Sequence, residues 1–177
     1  RVTQMSKISL YYKNVSAEVI GEEHGITKSQ FAELAQQVKP AIAEVNKQRS
    51  EGKIPYRDLP YNKEYLESVK QVAADIEGKY ENFVVLGIGG SALGNIALQT
   101  ALSPYMYNTD AAQRNGRPRL FVFDNVDPAQ LGSFIDWVGD KLEKTVFNVI
   151  SKSGRTAETA SQFLTIRQLL IDKLGEG

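Results

Sequence analysis

Two short stretches carry residue types suited to holding an anion. The first is Ser151-Lys152-Ser153-Gly154-Arg155-Thr156, which packs three hydroxyls into six residues. An apolar run precedes it and a helical pattern follows it. Hydroxyls, backbone N–H groups and the positive end of a helix can together enclose a phosphate without net protein charge. Gly154 lets the loop wrap. A serine or threonine there can also serve only as a helix cap. One cap accounts for one hydroxyl, not three. Lys152 and Arg155 carry charge that can turn toward an anion or toward solvent. Glu158 falls in the first helical turn, where a carboxylate suits the dipole, and it is assigned no chemistry.

The second stretch is Gly87-Ile88-Gly89-Gly90-Ser91-Ala92-Leu93-Gly94. Glycines between a strand and a helix let the backbone approach a ligand closely. A sugar, a phosphate or a dinucleotide would fit such a turn. Gly87, Gly89 and Ala92 satisfy G-x-G-x-x-[GA], so a nicotinamide-binding reading has to be weighed. That reading wants an acid about 20 residues on. The acid after the second apolar run, Asp124, lies 35 positions after Gly89. A tight turn with no ligand is the remaining alternative.

Composition narrows the chemistry further. The chain has no cysteine and one histidine, His24. Disulfides, thiolate zinc sites and cysteine nucleophiles are excluded, and a multi-histidine metal site is impossible. Absence of cysteine suits a reducing cytoplasm. Charge is balanced at 21 basic and 21 acidic residues. The stretch up to Tyr80 carries +1 and the remainder −1. No basic half offers the phosphate attraction that nucleic-acid binders need. No apolar window is long enough for a membrane span, and no secretory signal is visible.

The elements that must position these loops can be read from periodicity. Lys7 to Lys13 has strand character. Thr27 and Gln30 form a T-x-x-Q capping box. Phe31, Leu34, Ala35, Val38, Ala41, Ile42 and Val45 then predict one apolar helix face. Pro40 should kink or split that helix, and Gly52 ends it. Ile54 to Pro60 reads as an extended connector. A second helix is expected from about Asn62 to Lys79, burying Leu66, Val69, Val72, Ala73 and Ile76.

From Asn82 the pattern changes. Apolar runs at 83–86, 120–123 and 145–150 alternate with helices expected near 91–102, 128–138 and 156–174. The last of these should bury Ala160, Phe163, Leu164, Ile171 and Leu174. Asp127 and Pro128 are a cap and a first-turn proline. Residues 103–118 read as a long polar loop. Runs apolar on both faces, alternating with helices, describe an α/β fold: a parallel sheet covered by helices on both faces. Both loops then lie at the carboxyl edge of the sheet, facing one pocket. Three strands make that sheet incomplete, so the chain is expected to be the front part of a longer protein.

The string S-x-S-G-x-T after a parallel strand resembles the phosphosugar signature of sugar isomerase (SIS) domains. The longer strings VVLGIGGSALG (84–94) and VISKSGRTAETASQF (149–163) resemble the phosphoglucose isomerase family. The resemblance covers mainly residues 82–165. It implies a helical lead-in over 1–80 and the front of a first SIS domain, a Rossmann-like three-layer sandwich, over 81–177. It implies that Ser151, Ser153 and Thr156 hold a sugar phosphate, with Lys152 beside them, and that Gly90 and Ser91 contact the sugar. Arg155 departs from the family pattern, where a small polar residue is usual.

The implied reaction interconverts glucose 6-phosphate and fructose 6-phosphate through a cis-enediol, without metal or cofactor. The family's glutamate, histidine, lysine and arginine come from later segments, so no catalytic residue is expected here. His24 reads as a surface or capping histidine. The implied partners are a phosphosugar and, for the full-length protein, a second copy in a homodimer. Another SIS-domain isomerase or a sugar-phosphate-sensing regulator is the alternative within the fold. A nicotinamide-dependent dehydrogenase is the alternative outside it, but it leaves the hydroxyl-rich loop unexplained.

Overall fold

The computed structural model describes residues 11–176. These fall into two compact units, 1–63 and 64–177, and each is described by itself. In the first unit a 3₁₀ turn at Lys13–Val15 leads to α1 (Ala17–Ile20) and α2 (Lys28–Ser50). The segments meet closely at Gly25, where a Cβ would lie 2.4 Å from the Ala17 Cα. Only glycine fits there. The expected strand at 7–13 begins outside the described residues. Within them Tyr11 and Tyr12 have no regular structure, and Lys13 opens the 3₁₀ turn.

The Thr27 hydroxyl accepts from the Gln30 N–H, and the Gln30 side chain accepts from the Thr27 N–H at 2.8 Å. Two helix-end donors are thereby satisfied. Pro40 does not split α2, which runs through it unbroken. Proline removes one backbone bond, and the flanking turns hold the helix across the gap. The connector expected to be extended is instead a 3₁₀ segment, Pro55–Tyr61. A proline φ suits a 3₁₀ turn as well as an extended one. Asp58 within it accepts from the Arg49 Nε at 2.8 Å, tying the segment back to α2. A second ion pair, Lys28 with Glu18 at 2.6 Å, lowers the Glu18 pKa and raises that of Lys28 through their hydrogen bond and mutual charge. The expected burial of the α2 face is not met: Leu34, Val38, Ile42 and Val45 are all exposed.

The second unit carries the sheet. Helix α3 (Lys63–Ile76) precedes β1 (Asn82–Leu86), a 3₁₀ turn at Gly89–Ser91 and α4 (Leu93–Leu102). A short α5 (Ala111–Arg114), β2 (Arg119–Phe123), α6 (Pro128–Val138), β3 (Thr145–Val149) and α7 (Ala157–Leu174) follow. The strands are parallel in the order β2-β1-β3. Continuous apolar strands are what a two-sided parallel sheet requires. On one face Val84, Leu86 and Phe123 pack with Phe134, Val138, Leu142 and Ile166. Phe134 is the hub, with ring centroids 5.2 Å from Phe123 and 5.8 Å from Trp137. The opposite face is represented by Phe83 and Leu120. They line a cavity of about 280 Å³ with Ala73 and Ile76 of α3 and Gln99 of α4.

Three expectations are corrected. The 103–118 stretch is not wholly loop. It contains α5, capped by the Asp110 carboxylate. Its Asn108 donates to the Leu120 carbonyl at 2.7 Å and accepts from the Leu120 N–H at 2.9 Å, satisfying the outer edge of β2 as a neighbouring strand would. Leu66, Val69 and Val72 of α3 are exposed, and only Ile76 is half-buried. In α7 the buried residues are Thr159, Gln162 and Ile166, while Phe163, Leu164 and Leu174 are exposed. An apolar helix face is buried only where another layer lies against it. Those faces have no covering layer among the described residues.

Candidate functional site

β1 and β3 are neighbours, and Leu86 is in register with Val149. The Ile150 N–H donates to the Leu86 carbonyl at 2.9 Å, extending the pairing one step past the strand ends. The glycine-rich turn and the hydroxyl-rich loop therefore leave the same sheet edge side by side. This is the edge where crevices form in open parallel sheets.

The turn after β1 is built by close approach. Gly87 is buried, and a Cβ on it would lie 3.0 Å from the Ser91 Cβ and 3.1 Å from the Ser91 carbonyl oxygen. Gly89 has φ +55°, a conformation costly for other residues. A Cβ on Gly90 would meet nothing within 4 Å. Gly90 is exposed and Ser91 half-buried. The expected helix start at Ser91 is corrected: residues 89–91 form a 3₁₀ turn and α4 begins at Leu93 with no side-chain cap. Ala92 is fully buried and cannot cap, so a tighter turn makes the entry.

The loop after β3 is held by its own hydroxyls. Ser151 Oγ accepts from the Gly154 N–H at 3.0 Å, and Ser153 Oγ accepts from the Arg155 N–H at 3.1 Å. Gly154 has φ +66°. Ser151 Oγ and Thr156 Oγ1 lie 3.5 Å apart. Each serine oxygen accepts from a loop N–H, and one hydroxyl of the Ser151–Thr156 pair donates to the other, which leaves the Ser153 hydroxyl hydrogen and one hydrogen of that pair uncommitted within the loop. Thr156 is the N-cap residue of α7, yet its side chain makes no capping bond. The first N–H groups of α7 thus lack a side-chain cap, at the positive end of an 18-residue helix. Lys152, Ser153 and Arg155 are exposed, and Ser151 and Thr156 half-buried. His24 lies in the first unit, exposed, 4.0 Å from Glu23.

One residue near this edge has no signature in the sequence. Gln162 is 2% exposed, and its Nε2 donates to the Asn125 carbonyl at 2.8 Å and the Phe123 carbonyl at 3.4 Å. It bolts the helix behind the hydroxyl loop to the end of β2. Periodicity misses it because it is a polar residue on a buried helix face.

Three comparisons bear on this geometry. Residues 59–177 match the family model for phosphoglucose isomerase. The glucose-6-phosphate isomerase of Carboxydothermus hydrogenoformans is 40% identical over 77% of this chain and 29% of its own length. That of Rubrobacter xylanophilus is 35% identical over 97% of this chain and 37% of its own. A crystal structure of a hypothetical protein from Thermus thermophilus superposes with a TM-score of 0.63 at 28% identity, covering 84% of this chain and 34% of that one. The chain spans about a third of the length of these relatives. The family model matches two-thirds of the residues, and on that match this chain is a member of the phosphoglucose isomerase family.

Proposed function

We propose that the chain forms the phosphosugar-binding front portion of an aldose–ketose isomerase acting on glucose 6-phosphate and fructose 6-phosphate. The observation that carries this is the hydroxyl loop. Its two serine oxygens accept from loop N–H groups, and three hydroxyls gather beside a helix start that has no side-chain cap. Ser151, Ser153 and Thr156 would donate to the phosphate, with α7 N–H groups behind them and Lys152 alongside. Gly90 leaves open space for the sugar, and Ser91 offers it a hydroxyl.

In the full-length protein a base would carry a proton between C1 and C2 through a cis-enediol. The groups gathered in these two loops serve to bind and orient. On this reading the base would come from later segments. The whole protein would then act as a homodimer in the cytoplasm.

The test is calorimetric titration of pure chain with glucose 6-phosphate, beside a coupled assay for fructose 6-phosphate. One phosphosugar bound per chain with no turnover is expected. Absence of binding refutes the assignment of the loops. Turnover by the pure chain refutes the placement of the base elsewhere.

A further inference from the structure

The opposite edge of the same sheet carries a concentration of charge that the isomerase reading does not use. The strands begin at Asn82, Arg119 and Thr145, in register. Around those starts lies a pocket of about 320 Å³ lined by Lys79, Arg114, Arg117, Arg119 and Lys144, with Glu81 the one carboxylate. In a chain of zero net charge this wall is +4.

Two of the five cations are structural. Arg114 donates to the Asn108 carbonyl at 3.1 Å. Arg119 donates to the same carbonyl at 3.1 Å, lies 3.7 Å from the Glu81 carboxylate and stacks over Trp137. Lys79, Arg117 and Lys144 are different. They are exposed, and their side chains have no hydrogen-bond or ion-pair partner among the described residues.

Their backbones are nonetheless held. The Lys79 N–H bonds the Ile76 carbonyl, the Arg117 N–H bonds the Arg114 carbonyl, and the Lys144 carbonyl accepts from the Glu81 N–H. Gly78 and Gly116, both at positive φ, make the two turns that deliver Lys79 and Arg117. Three like charges line one pocket on a tied backbone, where an anion can lie among them.

We infer that this amino-edge pocket binds a small polyphosphate, the phosphate chain of a nucleoside triphosphate or a free inorganic polyphosphate. Three uncommitted cations match an anion of three or more charges better than a single phosphate. The pocket is at the lower end of small-molecule size. The chain has no basic stripe of the length a nucleic acid would track. Five-residue strands separate this pocket from the two loops by about 16 Å, so it is a second site.

The experiment is titration of the 177-residue chain with sodium tripolyphosphate, ATP and AMP, using wild type, Ser153→Ala and the triple variant Lys79→Gln/Arg117→Gln/Lys144→Gln. One tripolyphosphate should bind per chain. The triple variant should weaken it at least tenfold, from three partly exposed charge contacts, while Ser153→Ala leaves it unchanged. Equal ATP binding identifies nucleotide phosphates as a source. Tripolyphosphate binding without ATP binding identifies the free polyphosphate. AMP should fail in both cases. No binding, or binding insensitive to the triple variant, overturns the inference. Binding lost in Ser153→Ala alone also overturns it, by placing the anion in the hydroxyl loop. The substituted side chains are exposed, so unchanged circular dichroism and melting are expected of the triple variant. Glucose 6-phosphate affinity, read on the same proteins, reports separately on the isomerase reading.

Discussion

Replacing Ser153 by alanine should weaken glucose 6-phosphate binding roughly 10- to 150-fold. A hydrogen bond to a charged group is worth about 1.5–3 kcal/mol, and about 1.4 kcal/mol is tenfold. Ser153 Oγ already accepts from the Arg155 N–H. The variant therefore loses one exposed internal bond as well, which costs about 0.5–1.5 kcal/mol of stability. The two losses separate by measurement. Calorimetric titration with glucose 6-phosphate reads the first and a melting curve reads the second. Glucose itself should bind both proteins alike, since it never used the contact. If affinity holds while the melting temperature drops, Ser153 is only a strut of the loop.

The larger stability effect belongs to the strand that feeds the glycine turn. Leu86 is 0% exposed and packs in the cluster of Val84, Phe123, Phe134 and Ile166. Leu86→Ala should cost about 2–5 kcal/mol, the transfer of the lost methyls plus the cavity left behind. Leu164→Ala is the matched control. Leu164 is 60% exposed, and its truncation should change stability by less than about 0.5 kcal/mol. Urea unfolding of the two variants, fitted for midpoint and slope, checks both. Comparable losses would mean that α7 buries the face its apolar spacing suggests.

That contrast shows where sequence reading works and where it stops. The strands were legible because a parallel sheet buries both faces, leaving unbroken apolar runs such as Phe83 to Leu86 and Leu120 to Phe123. Helix starts were legible where a cap chemistry is strict. Thr27 and Asp127 both accept the N–H bonds their types suggest. The start of α4 was not, because buried Ala92 cannot cap and a 3₁₀ turn takes its place.

Helix faces were misread for a different reason. Apolar spacing on α2, α3 and α7 says that a side chain has affinity for a covering layer, not that the layer is present. Thr159 and Gln162 are buried because they sit over the sheet, and no hydrophobic count finds them. The hydroxyl loop was legible in composition, since three hydroxyls exceed what one cap needs. Its internal bonding was not. The amino-edge pocket was invisible because Lys79, Arg117 and Lys144 are scattered along the chain and meet only through strand register.

The strand order has a consequence for how the chain is made. Among the three described strands β1 lies in the middle, yet it is the earliest of them in the chain. Its partners begin 37 and 63 residues later, at Arg119 and Thr145. At about 5–20 residues per second, the second flank of β1 is completed roughly 3–13 s after Asn82 is added. Throughout that interval at least one hydrogen-bonding edge of this almost wholly apolar segment lacks its native partner. Closing a loop of that length is also the slow class of event in folding. Vectorial synthesis thus leaves the central strand waiting longest, and the glycine turn that follows it takes its final shape only once β3 has docked.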